Sequence, residues 1–404
     1  MLVISDNFLS GFGQPQADQH VVVLPWLNLR VLSFSNNSVQ GPLPIRPPYT
    51  DIYYASDNKL SGEISPLFCY LTSLQFLDLS NNNLSGMLPQ CLGYFSEDPA
   101  PLKGAGSFWL GTLPELKVLA LRSNGFHGVL GKPEYSHGFP KLRIFDLSHN
   151  NFTGQFLIDY IFSENAMMRV DINVNQSTYM RAKNNFVASG FYMSGGFAYS
   201  MSIATKGLEL NYPRIQEAFA IIDISSNRFE GSIHELIENL KGLRSLNISN
   251  NFFTGSIPSF MGNLTLLESL DVSQNKLSGE IPQQLMQLTF LAKFNVSHNN
   301  LTGPIPHGTQ LTSFDITSYE GNPGLCGDPL PKKCGSPSLP PSSVEENDST
   351  ELIDWKFVVI WKWVDCWSSS WLLADLLITR FPERFIEIVG MITPNKRRRK
   401  RRRN

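Results

Sequence analysis

Cysteine is scarce in this sequence and never has the spacing of a metal site. The five cysteines include no CxxC pair, and no histidine–cysteine cluster suggests zinc. A phosphate-binding loop, a catalytic carboxylate pair and a catalytic triad are also missing. Six of the seven histidines lie scattered in turns and form no catalytic motif: His127, His137, His149, His234, His298 and His307. We therefore expect no enzyme activity, no cofactor and no metal.

Positive charge is sparse outside one run near the end of the chain. The formal net charge is -2, although Lys396 to Arg403 are all cations. The rest of the chain is therefore acidic, which argues against a nucleic-acid partner. The basic run is typical of a cytoplasmic stop signal beside anionic lipid, and nuclear localisation is the alternative interpretation.

A secretory signal peptide is not visible at the start of the chain. Met1 is followed by "LVISDNFLSG", which already reads as the middle of a repeat. A free repeat edge would expose its core, so we expect a chain truncated at the N-terminus.

What the sequence does contain is a repeat, "LDVSQNKLSGEIP" at Leu270 to Pro282, with copies 24 residues before and after it. A glycine lies four residues after each recurring asparagine. A fixed period of this size predicts a solenoid. The recurring asparagines are Asn7, Asn37, Asn58, Asn82, Asn124, Asn150, Asn227, Asn251, Asn275 and Asn299.

Each repeat predicts one short strand with a buried face. In "LESLDVSQN", apolar residues alternate with polar ones, and stacked coils would make a parallel sheet on the concave side. The recurring asparagine would bond the backbone of neighbouring coils. The variable residues Ser269, Asp271 and Ser273 would point to solvent and serve recognition, or simply keep the face soluble.

These motifs resemble the plant-type leucine-rich repeat, "LxxLxLxxNxLSGxIPxxLxxL". The resemblance implies an α/β repeat: a solenoid with a concave parallel sheet, an island insertion, a C-terminal disulfide cap and one transmembrane helix. Residues 94–108 fit no repeat, through either a loop or lost coils, and we favour loss.

The interval between Asn150 and Asn227 lacks the repeat and is rich in aromatic residues, methionine, glycine and asparagine. The interval forms either a disordered insert or ordered strands. The alternation in "YSMSIATKGLELNY" favours ordered strands. An island before four final coils is similar to plant receptor-like proteins, which lack a kinase. That resemblance implies ligand and co-receptor contacts at Tyr199, Lys206 and Tyr212, although each of them would alternatively pin the island to the coils.

Two disulfides are expected, with free buried thiols as the alternative. Cys69 and Cys91 are about one period apart, which places them on adjacent coils about 5 Å apart. Cys326 and Cys334 flank a proline-rich turn after the last coil, where a cap is needed. Disulfides indicate an oxidising compartment.

Nine Asn-x-Ser/Thr sequons precede residue 350 and favour a secreted or luminal face, although an Asn- and Ser-rich repeat also makes sequons by chance. A glycan at a sequon on the inner face would cover part of that face. The sequons are Asn36, Asn83, Asn151, Asn175, Asn247, Asn263, Asn295, Asn300 and Asn347.

The apolar segment Phe357 to Thr379 has acidic residues before it and basic residues after it, as in a single membrane span. Lys362, Asp365 and Asp375 interrupt it, and each costs about 2.5–3.5 kcal/mol near the centre of a span. The segment also lacks the glycines that the family uses for pairing with an adaptor kinase, and a local reading-frame error would explain this.

The predicted organisation places repeats before and after an island and ends in a membrane anchor. Its segments are repeats at 1–154, the island at 155–217, four repeats at 218–315, the cap at 316–335, an acidic linker at 336–356, a degenerate transmembrane helix at 357–379 and a basic cytoplasmic tail at 380–404.

The resemblance implies a single-pass type I receptor at the plant cell membrane. It would bind an extracellular protein or peptide ligand and signal in defence or development through a co-receptor leucine-rich-repeat kinase and an adaptor kinase. The alternatives are a secreted inhibitor or binding protein, and a non-functional gene fragment.

Overall fold

The fold is described from a computed structural model of the chain. The description covers residues 1–12, 22, 24–26, 28–45, 49–92, 113–130, 139–156, 161–162, 165–170, 178–182, 186–188, 191–193, 197–308 and 310–335. The chain divides into two units, Met1–Ser336 and Pro337–Asn404. The linker, the span and the tail expected at 336–404 lie outside the described residues.

The described residues form short strands and short helical turns. In chain order, β1 to β26 are Leu2–Val3, Val31–Ser33, Gln40–Gly41, Ile52–Tyr54, Lys59–Gly62, Phe76–Asp78, Asn83–Gly86, Val118–Ala120, Gly125–Val129, Ile144–Asp146, Asn151–Gln155, Arg181–Ala182, Phe186–Ala188, Phe191–Met193, Phe197–Ala198, Met201–Thr205, Leu208–Tyr212, Ile221–Asp223, Arg228–Ser232, Ser245–Asn247, Phe252–Thr254, Ser269–Asp271, Ser278–Gly279, Lys293–Asn295, Asn300–Pro304 and Gly324–Cys326. The 3₁₀ helices are Pro66–Tyr70, Gln90–Leu92, Ala166–Met168, Glu235–Asn239, Ser259–Asn263, Gln283–Gln287, Leu311–Ser313 and Ile316–Ser318.

One strand from each coil joins a long parallel sheet, as the period-2 pattern predicts. Within the described residues its order is β1-β2-β4-β6-β8-β10-β18-β20-β22-β24. The central residue of each strand, such as Leu246 in β20 or Leu270 in β22, points into the solenoid and is fully buried. Neighbouring strands pair in register, so that Leu246 lies beside Leu270. Equivalent positions of successive coils therefore form columns along the sheet.

The recurring asparagine bonds the backbone of two coils, and this expectation is confirmed. The amide of Asn275 donates to the carbonyls of Ile248, Val272 and Ser273 at 3.0–3.2 Å. Its Oδ1 accepts from the Phe253 N–H at 3.0 Å. A turning interior backbone needs such partners, because an unpaired buried carbonyl or N–H is costly.

The outer side of the solenoid contains a second set of strands and the 3₁₀ helices. A seven-stranded sheet has the order β21-β19-β11-β9-β7-β5-β3, and β23-β25-β26 form another. Gly279 takes a φ of 80°, which permits the tight return before this side. The helices bounded within the described residues are 3₁₀ helices, so the α component of the expected α/β repeat is replaced there by tighter turns.

The solenoid is continuous across both irregular stretches of sequence. Strand β6 pairs directly with β8, and β10 pairs directly with β18. Some residues after the expected island boundary at 155 pack inside the solenoid. Met167 is fully buried in the main core, and its carbonyl accepts from the Gly242 N–H.

The C-terminal cap begins with one more asparagine rung that the sequence analysis missed. The Asn322 amide donates to the carbonyls of Val296 and Tyr319 at 3.0 Å, and its Oδ1 accepts from the Leu301 N–H. A proline after Asn322 hides the repeat pattern. The expected cap at 316–335 therefore starts as an incomplete coil.

Both expected cysteine pairs are bonded in the structure. The S–S distance is 2.07 Å between Cys69 and Cys91, and 2.03 Å between Cys326 and Cys334. The first bond joins adjacent coils, since the two Cα atoms are 5.3 Å apart. Across the part of the chain described, no helix has the length and apolar character needed to cross a bilayer.

Candidate recognition surface

A stripe of apolar side chains runs along the concave face at the first residue of each strand, and it stops abruptly. The residues of this column are apolar through β18 and become polar or charged from β20 onward. In order they are Val31, Ile52, Phe76, Val118, Ile144 and Ile221, followed by Ser245, Ser269 and Lys293.

The island covers the apolar part of this column. The concave residues from Val31 to Ile221 form a hydrophobic cluster, separate from the solenoid core, with island residues Met180, Tyr199, Met201, Ile203 and Ile215. The hairpin β16–β17 supplies two of these residues and lies across several coils. Burial of this apolar surface holds the island in place.

Tyr199 is the central contact between the island and the coils. It is fully buried, its ring centroid lies 5.1 Å from that of Phe76, and its hydroxyl donates to Gln75 Oε1 at 2.9 Å. The next residue, Ser200, donates its N–H to the Tyr54 hydroxyl at 3.0 Å. Tyr199 therefore pins the island, which is the second of the two roles that the sequence left open.

Ion pairs reinforce the docking of the island on both sides of the apolar stripe. Arg122 on the concave face is buried, and its Nη2 lies 2.5 Å from Glu209 Oε1 of β17. Lys117 pairs with Glu217 at 3.5 Å. Removing Glu209 would take away the hydrogen-bonding partner of the buried Arg122, whose charge would then be balanced only by Asp146 and Asp78.

The tip of the hairpin is fixed to the coils that follow the island. Lys206 lies in the turn between β16 and β17, and its Nζ is 2.8 Å from Glu268 Oε2. Arg244 Nη1 is 2.6 Å from the other oxygen of Glu268. Burial opposes ionisation of Glu268, but hydrogen bonds from Lys206 and Arg244 outweigh it and lower the pKa of that carboxyl. Lys206 remains 43% exposed, so it is still accessible to another molecule.

The outer strand of the hairpin presents apolar side chains to solvent. Leu208 is 64% exposed and Leu210 is 42% exposed. Tyr212 is half-buried, and its ring centroid lies 5.2 Å from that of Phe219. Adjacent exposed apolar side chains on a fixed element favour an interaction surface.

The third residue of each strand forms a second concave column, which contains Asp78, Asp146 and Asp223 in the part that the island covers. Burial raises the pKa of Asp78 to about 6, and burial with the neighbouring Asp146 raises the pKa of Asp223 to about 7. Farther on, Asn247 donates to Asp223 at 3.0 Å, and Asn295 donates to Asp271 at 3.3 Å. An amide beside a carboxylate separates like charges that adjacent coils would otherwise place close together.

A polar cavity of about 480 Å³ opens between the hairpin and the first coils. Asp78 and Arg122 of the concave face line it, together with Ser202 and Glu209 of the island and several serines. Its walls therefore offer hydroxyl groups, carboxylates and one guanidinium to a polar ligand group.

The expectation that Ser269 and Ser273 point to solvent is wrong. Ser269 is 5% exposed and Ser273 is 3% exposed. The Ser273 hydroxyl bonds Asp271 Oδ1 at 2.6 Å, and Asp271 is half-buried. Strands about 4.8 Å apart leave little open space above small side chains, so only longer neighbours reach solvent.

The apolar concave stripe is the signal that the sequence analysis overlooked. "FLDLS", "IFDLS" and "IIDIS" begin with an apolar residue where later repeats have "SLNIS" and "SLDVS". An apolar residue at an outward strand position predicts a cover over that part of the sheet. The cavity and the partners of Lys206 have no such signal in the repeat.

Comparison with known proteins identifies the family of the repeat and several related proteins. The family described as Leucine Rich Repeat matches residues 73–95, 141–161, 242–264 and 266–288. Receptor-like protein 54 of Arabidopsis thaliana is 42% identical over 387 residues, covering 81% of this chain and 48% of the relative. Receptor like protein 24 of the same plant is 39% identical over 441 residues, covering 96% of this chain and 50% of the relative. The chain thus spans about half the length of these relatives.

The solved structures include a plant ice-binding protein whose fold is similar. It shares 25% sequence identity and a TM-score of 0.50, and the match covers 83% of this chain and 84% of that one. The agreement supports the same solenoid architecture over most of the described residues.

Proposed function

We propose that this chain, which belongs to the leucine-rich-repeat proteins and matches plant receptor-like proteins, recognises an extracellular protein or peptide ligand. The receptor-like protein would be a single-pass type I protein of the plant cell membrane with its repeats outside. Binding would be relayed in defence or development by partner receptor kinases. The matched family is described as a repeat, and the Arabidopsis relatives reported above are described as receptor-like proteins.

The observation that carries the proposal is an island packed on the apolar part of the concave face. Tyr199 and Arg122 anchor it, while Leu208 and Leu210 remain exposed on its outer strand. A ligand at this apolar edge and the neighbouring polar cavity would contact side chains that are already held in place. Less conformational entropy would then be lost on binding. This favours binding of a protein or peptide at the island and the cavity.

The coils after the island supply a second, uncovered surface. Its floor is polar, with the half-buried Asp271 between the buried hydroxyls of Ser269 and Ser273. Lys206, paired with Glu268, and Tyr212 lie at its edge. We assign this surface to a co-receptor leucine-rich-repeat kinase, because a polar, partly charged rim suits a reversible complex. The adaptor kinase would pair through the expected span at 357–379.

Co-purification from plant membranes tests the assignment. Lys206→Ala with Tyr212→Ala removes the two side chains at the edge, and Lys59→Ala removes an exposed lysine of β5 as a matched control. We expect the double variant to lose co-purifying receptor kinase after addition of ligand, and Lys59→Ala to retain it. Equal recovery of kinase with both variants would contradict the assignment of this surface.

A further inference from the structure

The sequons of the described residues occupy different positions within the repeat. Asn83, Asn151 and Asn300 each follow a recurring asparagine directly and begin a strand of the outer side. All three side chains are exposed, and across the described residues their carboxamides make no hydrogen bond. No hydrogen bond among the residues that the structure describes therefore uses these amide nitrogens.

Asn247 and Asn295 lie instead in the second concave column, where both ends of the carboxamide are used. Asn247 Nδ2 donates to Asp223 Oδ2 at 3.0 Å, and its Oδ1 accepts from the Ser249 N–H and hydroxyl at 3.1 and 2.8 Å. Asn295 Nδ2 donates to Asp271 at 3.3 Å, and its Oδ1 accepts from the Ser297 N–H at 3.1 Å. Both side chains are half-buried.

An N-glycan bonds to the same Nδ2 atom and would replace one of its two hydrogens. At Asn247 the glycan would compete with the hydrogen bond that Nδ2 donates to Asp223. The Asp223 carboxyl is 2% exposed and has few other partners. A buried carboxylate that loses a donor destabilises the folded state. The sugar would also have to fit between the side chains of adjacent coils, about 5 Å away on each side.

We propose that the folded protein carries N-glycans at Asn83, Asn151 and Asn300, and that Asn247 and Asn295 stay unmodified as hydrogen-bonding rungs of the concave face. The proposal rests on the extracellular location proposed above. Asn36 and Asn263 are exposed and donate to surface carboxylates. Their geometry therefore favours neither the glycosylated nor the unmodified form, and the proposal does not include them. Asn175 and Asn347 lie outside the described residues.

The consequence is a division of the solenoid surface. Equivalent repeat positions lie in one row, so glycans at Asn83, Asn151 and Asn300 would decorate one wall at the outer side. The concave floor after the island would be bare. The floor would then be open to a partner, whereas the sequence predicts that a glycan covers part of it.

Removal of single sequons tests the proposal without changing any asparagine. Ser85→Ala, Thr153→Ala and Thr302→Ala each destroy an outer sequon, whereas Ser249→Ala and Ser297→Ala destroy the concave ones. In the full chain produced in plant cells, each outer variant should gain gel mobility equal to one glycan. The two concave variants should migrate like the unaltered protein, and enzymatic deglycosylation should make all five migrate alike.

Glycopeptide mass spectrometry of the unaltered protein provides a readout that needs no variant. We expect glycans on the peptides of Asn83, Asn151 and Asn300 and unmodified Asn247 and Asn295. A glycan on Asn247 or Asn295 at comparable occupancy would overturn this proposal alone. Absence of glycans from every sequon would overturn it together with the proposed extracellular location.

Discussion

Replacing Tyr199 by alanine should release the island while leaving the solenoid folded. Tyr199 is fully buried in the cluster between the island and the coils, and this cluster is separate from the solenoid core. Truncating a buried aromatic residue costs about 3–5 kcal/mol. That loss falls mainly on the docking of the hairpin, because the coils are also held to one another by the separate solenoid core.

Hydrogen–deuterium exchange measures this effect strand by strand. Loss of about 3–5 kcal/mol from docking corresponds to faster exchange by up to about two to four orders of magnitude. We expect the change at Met201–Thr205 and Leu208–Tyr212, and none at Ser269–Asp271, which the island cluster does not include. Tyr199→Phe keeps the ring and loses only the bond to Gln75, which is worth about 0.5–1.5 kcal/mol, so its effect should be smaller.

A core variant supplies the comparison that makes the result decisive. Phe229 is fully buried in the solenoid core and stacks with Phe152 at 6.1 Å. Phe229→Ala should accelerate exchange in the sheet strands and lower the urea midpoint of the whole solenoid. If Tyr199→Ala produced the same pattern as Phe229→Ala, or left hairpin exchange unchanged, the island would not be an independently docked element and our reasoning would be refuted.

Three further changes test the scaffold. Asn275→Ala should destabilise the solenoid by about 3 kcal/mol in urea titration, because it leaves buried backbone groups unpaired, whereas Asn83→Ala should change stability by less than about 0.5 kcal/mol. Burial raises the pKa of Asp78 to about 6, so the folded state binds the carboxyl proton more tightly than the unfolded state. The free energy of unfolding should therefore fall as pH rises from about 4 to 6. Asp78→Asn should flatten that pH dependence. Breaking the bond between Cys69 and Cys91 by serine substitution should cost about 3 kcal/mol in the same assay, and an unchanged midpoint would contradict the disulfide.

Most of the repeat is readable from the sequence because its contacts recur at a fixed period. Asn275 bonds Ile248 on the coil before and Val272 on its own coil, and each later asparagine repeats the same separations. The period therefore predicts the strand, the turn and the stacking together. It fails where the spacing changes, as at Asn322, although the geometry of the rung there is the same.

The recognition surface was only partly predictable, and Tyr199 and Lys206 show why. Both were candidates for contact with a partner, yet one is fully buried and the other is paired with Glu268 while remaining partly exposed. Which role a tyrosine or lysine takes depends on the segment that folds over it. That segment does not follow the repeat, so the repeat spacing does not predict its position on the solenoid.

The sequence alone determined a stacked solenoid with a concave parallel sheet, because every coil repeats the contacts of the last. Only the tertiary structure decided which half of that sheet is covered, which side chains remain open and which sequons are held in hydrogen bonds. The reason is distance along the chain. Tyr199 meets Gln75 across 124 residues, and Ser200 meets Tyr54 across 146, and such contacts depend on how the island folds rather than on any local pattern.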